Sequence, residues 1–256
     1  GRIRVHVAVD DGGQANAISQ AAAAAQVTVD ILVEIDIGMG RCGVGHGRPA
    51  LDLACAVQQM PGLRFEGIQA YEGHVVYVSD FERRAELVRQ AMAHAIETRE
   101  LLEDRGVPVA IVSGGSSSTY QITGQMAGID EIQAGTYATM DWRYAELAPE
   151  FEIALSVLAR VVSKRPGVAV LDVGSKGLGC EFGAPRIHGC PEVETPAVLA
   201  EEHTVVRNAP KRWRSGELVR VTPSHACTTC NLYRWMHVCE DDRVVDIWPI
   251  EIGRAS

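Results

Sequence analysis

Short apolar runs alternate with longer amphipathic stretches over the first half of the chain, and this spacing predicts a repeating strand–helix order. Residues 5–9 alternate apolar and polar positions as a short strand. Asp10-Asp11-Gly12-Gly13 follows as a turn with helix-capping chemistry, and the alanine-rich stretch 14–26 is helical by propensity. The β-branched, nearly continuous apolar run 30–35 predicts a strand buried on both faces. A helix over 49–58, a strand over 65–71 and a long amphipathic helix over 80–105 closed by Gly106 come next. A buried strand over 109–113 precedes the Gly/Ser-rich segment 114–119, and a strand over 129–133 ends in Ala134-Gly135-Thr136-Tyr137.

From about Phe151 the texture changes. Short strands over 157–162, 168–173, 204–207, 218–221, 235–238 and 244–250 are separated by Gly, Pro or charged turns, the pattern of an antiparallel β domain. The break at Ala148-Pro149 sets the expected boundary, with one domain over 1–147 and a second over 148–256. Repeated βα units with chemically active residues just after each strand imply parallel strands with their site at the C-terminal ends, as in a TIM-type barrel. The expected class is therefore α/β: barrel units followed by an antiparallel β domain.

The bulk numbers narrow the functional classes. With 256 residues the chain can form one large domain or a barrel portion plus a smaller one. Its net charge of -9 argues against binding a phosphate backbone, so no nucleic-acid partner is expected. Apolar runs such as 21–25 are short, so no membrane span is expected, and the opening residues 1–4 lead straight into a strand pattern without a secretory signal. Seven cysteines, an odd number without small-scaffold spacing, favour reduced thiols and a cytoplasmic setting. Lysine is rare: Lys164, Lys176 and Lys211 are the only three.

Several loops carry candidate chemistry. Gly38-Met39-Gly40-Arg41-Cys42-Gly43 follows the strand at 30–35 and aims Arg41 across the mouth of the sheet, although a tight turn explains the same glycines and the spacing is wrong for a dinucleotide fold. Ser113-Gly114-Gly115-Ser116-Ser117-Ser118-Thr119 offers small residues, hydroxyls and several exposed N–H groups, a nest suited to phosphate. Gln133-Ala134-Gly135-Thr136-Tyr137 repeats that logic one strand later, with Asp141 beyond it as a capping or orienting group or a surface residue. In Gln69-Ala70-Tyr71-Glu72-Gly73-His74, Tyr71 can flank a ring and His74 can exchange protons near neutrality, though a lone histidine there is commonly structural. Glu202-His203 is similarly ambiguous.

Pro223-Ser224-His225-Ala226-Cys227 lies in a run that reads as strand, where residues two apart face the same way. His225 and Cys227 would then present an imidazole and a thiolate together, a pair suited to zinc and leaving coordination positions open. With Cys230 and Cys239 close in sequence, a buried inert thiol cluster fits the spacing equally well.

Together these motifs resemble the D-threonine aldolase and D-serine dehydratase group of alanine-racemase-like, fold type III pyridoxal-phosphate enzymes. The matching pieces run in order from Val33-Glu34-Ile35-Asp36 through Gly67-Ile68-Gln69-Ala70-Tyr71-Glu72-Gly73, Ser113-Gly114-Gly115, Glu201-Glu202-His203 and the segment 223–231 to Val245-Asp246-Ile247-Trp248-Pro249. The resemblance implies a (β/α)8 barrel holding pyridoxal 5'-phosphate and a β domain supplying a divalent metal, zinc first and manganese or magnesium as alternatives. Arg41 falls where the family faces the pyridine nitrogen. Tyr71, Gly114, Gly115, Ser116, Ser117, Gly135, Thr136 and Tyr137 fall on cofactor-binding positions, and His225 and Cys227 fall on the metal pair.

The family's Schiff-base lysine on its first barrel strand has no match here, since no lysine precedes Lys164, and the catalytic candidate that remains is His74. The chain is expected to start near the fourth barrel strand and to hold about the last five βα units. The implied activity is lyase chemistry on a D-β-hydroxy amino acid: retro-aldol cleavage of a D-threonine or 3-hydroxyaspartate type substrate, with D-serine-type dehydration as the alternative suggested by Cys227. A racemase-type protein is a more distant alternative. A homodimer is the expected assembly.

Overall fold

Five parallel strands organise the first half of the chain. The computed structural model describes residues 3–251, which divide into two units, Gly1–Gly135 and Thr136–Ser256. In the first unit the order is β1 (His6–Val9), α1 (Gly12–Ala24), β2 (Val29–Asp36), β3 (Val44–Gly45), α2 (Arg48–Gln58), β4 (Leu63–Ala70), α3 (Phe81–Asp104), β5 (Ile111–Gly114), α4 (Tyr120–Thr123) and β6 (Glu131–Ile132). The strands lie side by side as β1-β2-β4-β5-β6, every pair parallel, with the two-residue β3 also joined to β2. This agrees with the five βα units read from the sequence.

Capping chemistry sets the helix starts. The Asp11 side chain accepts from the Gln14 amide at 2.9 Å, and Asp80 accepts from that of Arg83 at 2.7 Å. β2 is buried on both faces, and its Ile31, Val33 and Ile35 pack with Val57, Ile68, Met92, Leu102 and Val112 in one core. Each such aliphatic side chain contributes about 1.5–3 kcal/mol over leaving it in water.

The second unit begins with a single 3-10 turn (Thr136–Ala138) and α5 (Trp142–Ala145), then runs β7 (Val157–Arg165), β8 (Val168–Leu171), β9 (Arg186–Ile187), β10 (Thr204–Arg207), β11 (Leu218–Thr222), α6 (Ala226–Cys230), β12 (Trp235–Glu240) and β13 (Arg243–Pro249). Five strands form an antiparallel sheet in the order β10-β8-β7-β11-β9, and β12 with β13 forms a separate antiparallel hairpin. Alternate residues of β10 and β11 point inward, placing Val206, Val219 and Val221 with Val161, Leu171 and Trp213 in a second core.

The division after Gly135 lies upstream of the 147/148 boundary expected from the Ala148-Pro149 break. Hydrogen bonds explain the difference. The Thr139 carbonyl accepts from the amides of Ala154 and Leu155 at 3.0 and 2.9 Å, and the Trp142 amide donates to the Pro223 carbonyl. The segment 136–147 is therefore tied into the β unit. Among the described residues no helix is long and apolar enough to cross a membrane.

Candidate active site

The first group of candidates sits on loops that leave β2, β4 and β5. After β2 the chain turns sharply, and the Asp36 carboxylate accepts from the amides of Gly38 and Gly40 at 2.9 and 3.1 Å. These bonds to backbone N–H groups, first Gly40 and then Gly38, hold the Asp36 carboxyl below its ordinary range against the opposing effect of burial. Gly43 closes the turn with φ +109° and an amide that donates to Asp10 at 2.9 Å, and a Cβ there would collide with the Asp36 amide nitrogen. The loop presents Arg41 with its guanidinium 5.7 Å from the Tyr71 ring centroid and 3.7 Å from the Glu34 carboxylate. Its side chain remains 52% exposed. The His74 ring lies against Gly38, so Arg41, Tyr71 and His74 converge at the ends of β2 and β4.

The loop after β5 differs from the expected open nest. Glu72, fully buried, accepts from the Gly115 amide at 3.0 Å and from the Thr119 and Thr123 hydroxyls at 2.6 and 3.3 Å. The Ser116 amide donates to the Thr119 hydroxyl, the Ser118 amide to the Ser116 hydroxyl, and the Ser118 hydroxyl to the Val76 carbonyl. Three N–H groups expected to be free are thus used within the loop, because a buried carboxylate draws them inward. Gly114, Gly115, Ser116 and Ser117 are all buried around this centre. Gly135 is the exposed last residue of the first unit, while Thr136 and Tyr137 belong to the second. There the Thr136 carbonyl accepts from the Met140 amide, and the Tyr137 ring lies 5.8 Å from that of Phe151.

In the second unit the strand reading of residues 223–227 is corrected. β11 ends at Thr222, Pro223 has no N–H to continue a ladder, and Ala226–Cys230 is helical with His225 as its N-cap. The two candidate ligands sit at the start of one short helix, His225 as its N-cap and Cys227 as its second residue. The neighbouring Cys227 raises the imidazole pKa, burial opposes it, and the charge of Glu181 adds to it. Glu181 lies 3.3 Å from His225 Nδ1 and accepts from the Thr228 hydroxyl at 2.9 Å, while Phe182 flanks the ring at 4.7 Å.

Cys227 is exposed. Cys230 is half-buried, and burial followed by the neighbouring Cys227 charge pushes its thiol up. The inert-cluster reading thus describes Cys230 but not Cys227. Among the described residues no group of three or more His, Cys, Asp or Glu side chains is arranged around a metal position. Glu181 carries no motif that would have revealed it. Glu72 lies inside a motif whose flanking tyrosine and histidine drew attention instead.

Family models match both halves: the alanine racemase N-terminal domain over residues 2–141 and a putative serine dehydratase domain over residues 154–239. A D-threonine aldolase of Arthrobacter sp is 37% identical over 254 residues, covering 96% of this chain and 67% of that protein. The chain belongs to the D-threonine aldolase family. A 3-hydroxy-D-aspartate aldolase of Paracoccus denitrificans (strain Pd 1222) is 32% identical over 256 residues, covering 96% of this chain and 66% of that one. The crystal structure of D-threonine aldolase from Filomicrobium marinum superposes with a TM-score of 0.93 at 35% identity, covering 97% of this chain and 70% of that one. The chain spans about two thirds of the length of the curated relatives it matches.

Pyridoxal phosphate is the cofactor of this family. The first unit's residues suit it. Arg41 is a permanent donor without an acceptor, half-exposed beside an aromatic ring, the character required opposite an unprotonated pyridine nitrogen.

Proposed function

We propose that this chain is part of a pyridoxal-phosphate- and divalent-metal-dependent lyase that cleaves D-β-hydroxy amino acids of the D-threonine or 3-hydroxyaspartate type to glycine and an aldehyde. The observation that carries this reading is the placing of His225 and Cys227 at the start of one helical turn, in a chain 37% identical to a D-threonine aldolase. Pyridoxal phosphate, when bound, supplies the electron sink for breaking a bond at the substrate's α-carbon. Arg41 would donate to its ring nitrogen and keep that nitrogen unprotonated, with Tyr71 beside it. Gly114, Gly115, Ser116, Ser117, Gly135, Thr136 and Tyr137 are proposed for the cofactor's phosphate end.

His74, exposed against Gly38, is placed to hold or move a proton at its ring. His225 and Cys227 would hold the metal, zinc in the first instance, with Nε2 the nitrogen available because Glu181 faces Nδ1. A divalent cation there supplies Lewis-acid stabilisation to a substrate hydroxyl.

Dehydration of a D-serine or D-3-hydroxyaspartate type substrate is the second reading, favoured by the cysteine at position 227 and by the match to a putative serine dehydratase domain. A cytoplasmic homodimer completes the proposal. The full-length protein that carries this chain, incubated with D-threonine and with D-serine, separates the two readings. Acetaldehyde plus glycine supports the aldolase and pyruvate from D-serine supports the dehydratase, while neither product overturns the lyase reading. Activity that survives a chelator overturns the metal's part in it.

A further inference from the structure

We infer that Asp141 is the positioning residue for the metal pair, a role that rests on the proposed reading of His225 and Cys227. Its side chain is fully buried, and both carboxylate oxygens are committed to backbone N–H groups: Oδ1 accepts from Tyr144 at 2.8 Å and Oδ2 from Ala226 at 2.9 Å. Tyr144 lies in the first turn of α5, and Ala226 is the residue between the two candidate ligands. One carboxylate therefore caps α5 and, from 85 residues away in sequence, grips the amide that separates His225 from Cys227. The N-cap of α6, His225, makes no capping bond with its own side chain. Asp141 thus satisfies the first orphan amide of α6, one that an N-cap side chain bonding N2 or N3 does not reach.

A second observation points the same way. Met140, immediately before Asp141, has φ +52° and is fully buried. Of the positive-φ non-glycine residues described, Met140 alone is buried; Gln26, Asn208, Asp241 and Asp242 are exposed. A left-handed conformation is unfavourable for such a side chain and persists where the surroundings over-determine it. The bend at Met140 is what turns Asp141 toward the 223–227 turn. From the other side, the Gly179 amide donates to the Thr229 hydroxyl at 2.9 Å. The α6 turn is thus fixed through its backbone.

The test compares Asp141→Asn with Thr204→Val, a substitution that removes a different buried hydrogen bond of the same unit, from the Thr204 hydroxyl to the Val173 carbonyl. Zinc affinity is read by competition with a chromogenic chelator, and cobalt substitution reads the thiolate-to-metal charge-transfer band. Asp141→Asn is expected to weaken zinc binding about 10- to 100-fold and to diminish the cobalt–thiolate band, in the range seen when groups behind metal ligands are altered. Thr204→Val is expected to lower the melting temperature while zinc affinity stays unchanged. Equal zinc loss in both variants, or a lower melting temperature with unchanged zinc affinity in Asp141→Asn, overturns the positioning role. Unchanged zinc affinity in Cys227→Ser overturns the metal pair itself, and the role of Asp141 with it.

Discussion

The Ser113–Thr119 loop of the first unit and the 223–231 turn of the second are each anchored by a fully buried carboxylate, yet the two anchors leave opposite surfaces behind. Glu72 takes a backbone N–H and two hydroxyls of its loop, and the remaining donors turn inward with it. Asp141 takes two backbone N–H groups, so the imidazole of residue 225 is left to face Glu181 and the thiol of residue 227 is left exposed. Burying a carboxylate carries a large desolvation penalty, which several charge-assisted hydrogen bonds offset. The choice of donors decides what remains. Anchoring partly through side chains turns hydroxyls of the loop inward; anchoring through backbone leaves the side chains of the turn outside the anchor.

That contrast breaks most directly at Glu72. Glu72→Leu strands one amide and two hydroxyls in a dry interior, and unfolding in denaturant should show a loss of about 3 kcal/mol or more, since each unmade buried bond costs roughly 1–3 kcal/mol. Glu72→Gln keeps one acceptor and should lose about half as much. A loss below about 1 kcal/mol in Glu72→Leu would mean that the loop holds itself and the anchor is incidental. A smaller effect tests the neighbouring loop that carries Arg41. Gly43→Ala combines a forbidden φ with a collision against the backbone of Asp36 and Ile35, and about 2–3 kcal/mol should be lost. Gly40→Ala, at φ +64° with open space around the new Cβ, should lose only about 1 kcal/mol. Equal costs would show that crowding by the β2 backbone plays no part.

The parallel unit was far more legible than the turn. A β-branched run such as 30–35, followed by glycine, announces a buried strand and a loop at its end, and β2 with Arg41 beyond it sits where the pattern places it. Asp11 caps its helix as the turn at 10–13 predicts, while Asp80, expected inside its helix, is the residue that caps it. α6 escapes the sequence pattern because five residues are too few to set a helical period, and because its first amide is satisfied by Asp141 from a remote part of the chain. The inward turn of the Ser116–Thr119 hydroxyls was hidden for the same reason: Glu72 approaches from the end of another strand. The boundary after Gly135 follows from long-range bonds of Thr139 and Asp141 that no local composition shift reports.

The mildest effect concerns Asp36, the half-buried counterpart of these two anchors. Its folded-state pKa lies below the ordinary 3.8 because the amides of Gly40 and Gly38 favour the charged form. A depressed carboxyl pKa contributes stability that is fully present above the unfolded value and is lost as pH falls through the folded one. Between neutrality and about pH 5 the Asp36 carboxylate should therefore contribute no pH dependence of its own. Below the ordinary aspartate range, the Gly38 and Gly40 amide resonances should shift together along one titration curve as the carboxylate releases them. Asp36→Asn should abolish that curve and leave the amides of Tyr144 and Ala226, which bond Asp141 instead, unaffected. A midpoint above 3.8 would reverse the sign and show that burial, not the turn's N–H groups, governs this carboxylate.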